Sequence, residues 1–422
     1  MTTVAPRLTP RLTRRGQAFV GTGLGLGGAS ALLGFPDLTR VGVLLLLLPV
    51  LAYLTSWRRA PRLAVTRTVS PAALRPDEPG QVRTEVRNEG RRTSLSHLAQ
   101  ERLDPTLGGP ARFVVPALAP GRRHTVAYPV RGRARGVHHV GPLDLRQEDP
   151  FGLTLQRRRL GGAAEVLVLP EVVDLTGLAP PGTGVTGPGP VPHLVAVHGE
   201  DDVSTRRYAR GDDLRRVHWP ATAHRAELMV RQEERPARQR ATLVLDPRRA
   251  AHRGTGPASS FEWAVSALAS VAALLAGQGF QLHLVTAETA RDAAVDRPLG
   301  REAVLRHLAL AGTAEGDLSD IVHATWSVAG GLVVAAVADA AVADADGAAL
   351  DRLAAARPPG TTGVLLLLDA ATFAGAPPSP GAAGRAHRLR AAGWRSTVVR
   401  AGQPVADAWA TACYDDAWAV AR

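Results

Sequence analysis

The 422-residue sequence contains no lysine, and all 50 of its basic side chains are arginine. Against 38 acidic residues they leave a net charge of +12. An arginine-only chain rich in alanine and glycine carries the mark of a GC-rich coding bias, so its charge is weak evidence for nucleic acid binding. Aromatic residues are scarce at 4%, which removes the base-stacking platforms of single-strand binders. The single cysteine, Cys413, excludes an intramolecular disulfide and a Cys-based zinc cluster. No P-loop, glycine-framed nucleophile or His-Glu-x-x-His helix occurs. A hydrophobic content of 45% with 21% charged residues excludes wholesale disorder, and the length calls for more than one domain.

Residues 1–60 read as a membrane hairpin. Apolar stretches run from Gln17 to Phe35 and from Val41 to Trp57, the second containing the run Leu44 to Leu48. Each reaches roughly 25–28 Å as a helix, enough for a bilayer core. Phe35-Pro36-Asp37 breaks them, and Tyr53 and Trp57 suit the interface. Gly21, Gly25 and Gly28, with Gly23 and Gly27, offer small faces for close helix approach. Arg7, Arg11, Arg14 and Arg15 precede the first span and Arg58, Arg59 and Arg62 follow the second, whereas the turn carries only Arg40, beside Asp37. The positive-inside rule then makes this a multi-pass cell-membrane protein with its soluble domains in the cytoplasm. A signal peptide, with Arg14-Arg15 as a twin-arginine signal and Ala29-Ser30-Ala31 as a cleavage site, is the alternative; the second apolar span and its basic flanks favour the hairpin.

Residues 61–176 change to a period of two. Val82, Thr84 and Val86 alternate with Arg83, Glu85 and Arg87, and Asn88-Glu89-Gly90 follows as a turn. Segments 63–65, 126–130, 143–145, 151–155 and 166–168 read as further strands of a sandwich-like β-rich domain. His138 and His139 are adjacent on a strand and point to opposite faces, which disfavours their chelating one ion. Residues 177–239 comprise a Gly/Pro-rich linker and a charged segment.

From 240 to 422 apolar strands alternate with helices. Ala241–Leu245 runs into Asp246, Phe280–Val285 follows, Leu332–Val337 ends near Asp339, and Val364–Leu368 ends in Asp369. Ser259 and Glu262 form a capping box before a helix, and Arg301–Leu310 is another helix. This pattern predicts a doubly wound α/β domain with its site at the C-terminal strand ends.

The charged segment reads Tyr208-x-x-Gly211-Asp212-Asp213-x-Arg215-x-x-His218-Trp219. It resembles the signature of domain-of-unknown-function family 58. Arg135-Gly136-Val137-His138 and Asp149-Pro150-Phe151-Gly152-Leu153 are similar to that family's upstream pattern, although Pro220 and His224 replace its usual Lys and Arg. The resemblance implies a membrane-anchored protein with a β-rich domain and a von Willebrand factor A-like α/β domain, acting with a MoxR-type AAA+ ATPase. In A-like domains an Asp-x-Ser-x-Ser run and a second Asp hold a divalent cation. Here the run reads Asp246-Pro247-Arg248-Arg249-Ala250, so Asp246 and Asp339 form a degenerate site in which Arg248 and Ala250 replace hydroxyl ligands, and no metal or cofactor is expected. Arg248 either clasps an acidic partner residue in the cation's place or pairs internally with Asp246 or Asp339.

These observations favour a non-enzymatic, membrane-anchored binding or assembly protein, acting in cell-envelope work or complex maturation, with the bilayer and an AAA+ ATPase as partners and no nucleic acid. Arg210, Asp212, Asp213, Arg215, His218, Trp219 and Arg248 are the candidate partner-binding residues, and no catalytic residue is assigned. The alternative is a hydrolase or transferase using Glu200-Asp201-Asp202 with His198 or His218.

Overall fold

A computed structural model describes residues 11–58, 62–149, 151–178, 205–208, 217, 219–225, 227–231, 239–292, 295–315, 318–327, 331–339, 350–352, 355 and 362–414. The chain divides into two compact units, 1–171 and 172–422.

The first unit opens with the short strand β1 (Arg11–Leu12) and the helices α1 (Arg14–Leu33) and α2 (Pro36–Arg58). Gly34, left-handed at φ 71°, ends α1, and Pro36 pre-sets the first turn of α2. The two helices form an antiparallel hairpin. Of the glycines expected to allow close approach, Gly23 and Gly27 lie against Gly42 of the opposing helix, and Gly21, Gly25 and Gly28 do not. The buried positions of α1 are Gly16, Gly23 and Ser30, spaced by seven residues. A Cβ on Gly23 would stand 2.9 Å from the Gly42 carbonyl oxygen, and one on Gly42 2.9 Å from that of Gly23. Side chains added at Gly21, Gly25 or Gly28 would meet nothing within 4 Å. Ser30 Oγ closes the turn on the Phe35 carbonyl at 2.6 Å and Thr39 Oγ1 at 2.5 Å. Val41, Val43, Leu44, Leu47, Val50, Leu51 and Leu54 of α2 are exposed. Residues Pro36–Leu54 are long and apolar enough to cross a membrane. Ser260–Gly277 matches them in length and composition but is mostly buried in the second unit, as a core helix is.

The strands that follow are β2 (Leu63–Ser70), β3 (Ala73–Leu74), β4 (Pro79–Asn88), β5 (His97–Leu103), β6 (Ala111–Val115), β7 (Arg123–Arg131), β8 (Gly136–Glu148), β9 (Thr154–Leu160) and β10 (Ala164–Val168). β2, β4 and β7 form one antiparallel sheet; the second has the order β1-β9-β8-β10-β3, with β5 joining β8 to β6. Alternate side chains of both sheets meet in a shared core that includes Val82, Tyr128 and Val130 from one sheet and Leu74, Val140, Val166 and Val168 from the other. A buried ion pair crosses this sandwich. Arg67 Nε and Nη2 both reach Glu101 Oε1, at 3.1 and 2.8 Å, and Thr84 Oγ1 donates to Glu101 Oε2 at 3.1 Å.

The strand expected at 151–155 begins only at Thr154, because Asp149 builds a turn first. Its carboxylate accepts from the backbone N–H groups of Phe151 and Thr154 and from Thr154 Oγ1. This turn seats α1. Thr13 N donates to the Leu153 carbonyl at 2.9 Å and Thr13 Oγ1 to that of Gly152 at 2.6 Å, while Arg11 and Leu12 pair with Leu155 and Thr154. A Cβ on Gly16 would overlap the Leu153 carbonyl, so only glycine permits the approach. His138 is held by Thr106 Oγ1, Asp104 and the Ala134 carbonyl, a structural role for this part of the Arg-Gly-Val-His run.

The second unit contains β11 (Thr205–Arg207), α3 (Trp219–Arg225), β12 (Met229–Arg231), β13 (Arg240–Leu245), α4 (Ser260–Gly277), β14 (Gln281–Val285), α5 (Ala287–Arg291), α6 (Arg301–Leu310), α7 (Ser319–Ser327), β15 (Leu332–Asp339), β16 (Thr362–Asp369), α8 (Ala370–Phe373), α9 (Ala382–Ala391), β17 (Trp394–Val399) and α10 (Val405–Tyr414). Five parallel strands form a sheet in the order β14-β13-β15-β16-β17. The chain enters this unit at Val172, whose neighbour Val173 donates its N–H to Ser270 Oγ at 2.9 Å. β15 and β16 are buried almost along their entire length, as strands covered on both faces must be. Ser259 caps α4 by accepting from the Glu262 N–H at 3.2 Å.

Candidate functional site

The order of the parallel strands fixes where a site can form. From β13 the chain steps to β14 on one side and then returns to β15 on the other. The crevice at the C-terminal ends of β13 and β15 is the point at which a doubly wound sheet receives ligands. Asp246 follows β13 directly, and Asp339 ends β15.

Neither carboxylate is open. Asp246 is fully buried, and Arg248 folds back on it as a bidentate fork, with Nε 3.0 Å from Oδ1 and Nη2 2.8 Å from Oδ2. The backbone N–H of Arg248 also reaches Oδ1 at 3.0 Å, and that of Ala338 reaches Oδ2 at 3.1 Å. Arg248 Nη2 also donates to the Ala338 carbonyl at 3.0 Å. One guanidinium thereby ties the turn after β13 to the end of β15. On Asp339, Oδ2 accepts from Arg385 Nη2 of α9 at 2.5 Å. At the end of β16, Asp369 accepts from the Ser379 N–H at 2.9 Å and from its Oγ at 2.8 Å.

The residues do not fit a divalent cation. A hard cation needs open oxygen lone pairs, whereas Arg248 places positive charge against both oxygens of Asp246, and Arg385 places it against Asp339. The internal pair is thus the geometry Arg248 adopts. Being only 4% exposed, it does not present the partner clasp that its sequence position suggested.

Two contributors carried little sequence signal. His252 Nε2 lies 2.9 Å from the Asp246 carbonyl oxygen and Nδ1 3.0 Å from Ser260 Oγ, with the ring edge-on to Phe261. Burial lowers its pKa below the ordinary 6.5. Nothing but its place six residues after Asp246 marks it in the sequence. Arg385 belongs to an arginine-rich helix in which no spacing distinguishes it from Arg388 or Arg390.

Beside the Arg248 turn opens a cleft of about 370 Å³, lined by Pro247, Arg248, Ala290, Arg291, Glu315 and His323 among others. Its rim is stitched by the Ala314 N–H to the Pro247 carbonyl at 2.6 Å and the Arg249 N–H to the Ala314 carbonyl at 3.0 Å. Arg249 meets Glu315 at 3.5 Å on the surface, a contact worth little to stability.

The charged signature is described in part. β11 pairs antiparallel with β12, Tyr208 N donates to the Leu228 carbonyl at 2.8 Å, and Val217 bridges to Val230. Trp219 begins α3 and is 69% exposed, so its indole is open for contact. Arg210, Asp212, Asp213, Arg215 and His218 lie outside the described residues, as do His198 and the acidic loop Glu200–Asp202.

Residues 204–330, under a third of the chain, match the family described as "Protein of unknown function DUF58". No curated protein matches the chain. Among solved structures, the CARDB domain of a Pyrococcus furiosus protein, in complex with di-metal ions, is 14% identical, covering 26% of this chain and 94% of that one, at a TM-score of 0.20. A beta-glucosidase from Listeria innocua in complex with glucose is 16% identical, covering 26% and 16%, at 0.17.

Proposed function

We propose, on the premise that residues 204–330 match the family of unknown function DUF58, that the protein is a non-enzymatic, membrane-anchored assembly factor working with a MoxR-type AAA+ ATPase. The observation that carries this reading is the engagement of the acids at the C-terminal strand ends. At the ends of β13, β15 and β16 each acid has an internal donor: Asp246 has Arg248, Asp339 has Arg385 and Asp369 has Ser379. A general acid or base must reach a substrate proton, and these groups are turned into the fold.

On this reading the hairpin crosses the bilayer twice with both ends in the cytoplasm, and the α/β unit has a von Willebrand factor A-like role without its cation. The exposed Trp219, with the signature that precedes it in the sequence, supplies the recognition surface, since an exposed aromatic is a common interface anchor. The test is to cross-link tagged full-length protein in its own cells and identify what co-purifies with and without ATP. Nucleotide-dependent recovery of an AAA+ ATPase, weakened by Trp219→Ala, is the expected result. Recovery of no ATPase, together with small-molecule turnover that vanishes on changing Glu200, Asp201 and Asp202, would overturn the reading.

A further inference from the structure

The Asp149 turn places a large apolar side chain in the open. Phe151 is 63% exposed although the loop carrying it is tightly built. Asp149 is 7% exposed, and both of its oxygens are engaged, Oδ1 by the Phe151 N–H at 2.8 Å and Oδ2 by the Thr154 backbone and hydroxyl. The Gly152 N–H closes the turn on the Asp149 carbonyl at 2.9 Å. A phenyl ring held out by so constrained a turn loses hydrophobic stabilisation unless something covers it.

The position of the turn indicates what that is. Gly152 and Leu153 accept the hydrogen bonds of Thr13, the N-cap of α1, so Phe151 adjoins the first turn of that helix. A Cβ placed on Gly152 would stand 3.7 Å from Arg15 Nη1. The first turn of α1 is where the chain changes from Arg14-Arg15 to the apolar run beginning Ala18-Phe19-Val20, within about 6 Å along the axis. The far end of the hairpin returns to the same place, because α2 packs against β9. Leu12, 38% exposed, adds apolar surface, while Arg11, Arg14 and Arg15 are exposed beside it. Cations flanking aromatic and aliphatic side chains at a helix end match the boundary between anionic headgroups and acyl chains.

We infer that Phe151, with Leu12, inserts into the headgroup–acyl boundary of the bilayer, so that the β-rich unit has a third membrane contact besides the two helices. The inference rests on the hairpin's lying in the membrane. The occupant is lipid rather than protein because the Phe151 turn leads into β9, against which α2 with its exposed apolar residues Val41 to Leu54 packs.

The test uses the full-length protein in vesicles of phosphatidylcholine and phosphatidylglycerol. A nitroxide is attached at Phe151→Cys, at Leu47→Cys in α2, or at Ala127→Cys on the exposed side of β7. Cys413 is buried and its thiol is pushed up to about 12, so it does not compete for label. Collision rates with oxygen and with a water-soluble nickel chelate are compared. The expected oxygen-to-nickel ratio at 151 is several-fold above that at 127 and below that at 47. A bilayer value at 47 with equal, water-like values at 151 and 127 would overturn the inference and leave the hairpin in place. Low collision rates for both reagents at 151 would overturn it in favour of protein cover. A water-like value at 47 would overturn the hairpin placement and the inference with it.

Discussion

Replacing Arg248 with methionine keeps the bulk of the side chain and removes its charge. Asp246 then retains two of its four donors, the backbone N–H groups of residues 248 and 338, and loses the bidentate fork. Deleting one partner of a buried ion pair costs about 3–5 kcal/mol, and the two remaining donors argue for about 3 kcal/mol here. At an m-value near 3 kcal/mol per molar, the urea midpoint of the α/β unit should fall by about 1 M. Tryptophan emission reads this unit selectively, because of the seven tryptophans only Trp57 lies in the first unit. Asp246→Asn should cost a similar amount. The double variant should cost clearly less than the sum, since each single change strands the other group. Additive losses, or a shift for Arg248→Met within the error of the midpoint, would refute the description of this pair as the element holding the β13 turn to β15. Well below its melting temperature, Arg248→Met should still capture the partner as the parent does.

Further outcomes follow from the same contacts. His252, whose pKa is depressed by burial, takes up a proton more readily when unfolded, so its stabilisation is present above pH 6.5 and is lost as the pH falls below that value; urea midpoints of the α/β unit at pH 7.5 and 5.5 should show this, and His252→Gln should flatten it. Gly23→Leu should abolish a disulfide between Ser30→Cys and Thr39→Cys on a non-reducing gel, whereas Gly25→Leu should leave it intact, because only Gly23 faces the Gly42 carbonyl. Asp149→Ala strands three donors and should lower the stability of the β-rich unit by about 2–3 kcal/mol in denaturation followed by backbone amide exchange. Cys413 should resist alkylation at pH 8 until denaturant is added, since burial raises its pKa to about 12.

The elements most legible in the sequence are those whose apolar pattern is unbroken. Leu332–Asp339 and Thr362–Asp369 are strands because both faces are covered, and Asp246 and Asp339 terminate their strands as expected. β5 lacks a legible apolar alternation because its inward side chains include His97 and Glu101. Glu101 can be buried only because Arg67 and Thr84, distant in sequence, meet it. The hairpin shows the same limit. Several small residues of α1 share helical spacing, and the position of Gly42 on the opposing helix selects Gly23, whereas the Leu153 carbonyl selects Gly16 and Phe35 with Thr39 selects Ser30. At the strand ends the acids were apparent, but the partner of Asp339 was not, because Arg385 comes from a helix beyond β16.

Strand β1 lies before both helices in the chain, yet it pairs with Thr154 and Leu155 of β9, which are made some 140 residues later in synthesis. With α2 also packed on β9, the hairpin is clamped at two points rather than tethered by one leash. A single leash would let the β-rich unit swivel freely about its attachment; a two-point clamp removes that rotation. A torque on the β-rich unit is therefore transmitted to the helix pair, and a tilt of the helices in turn reorients the sandwich.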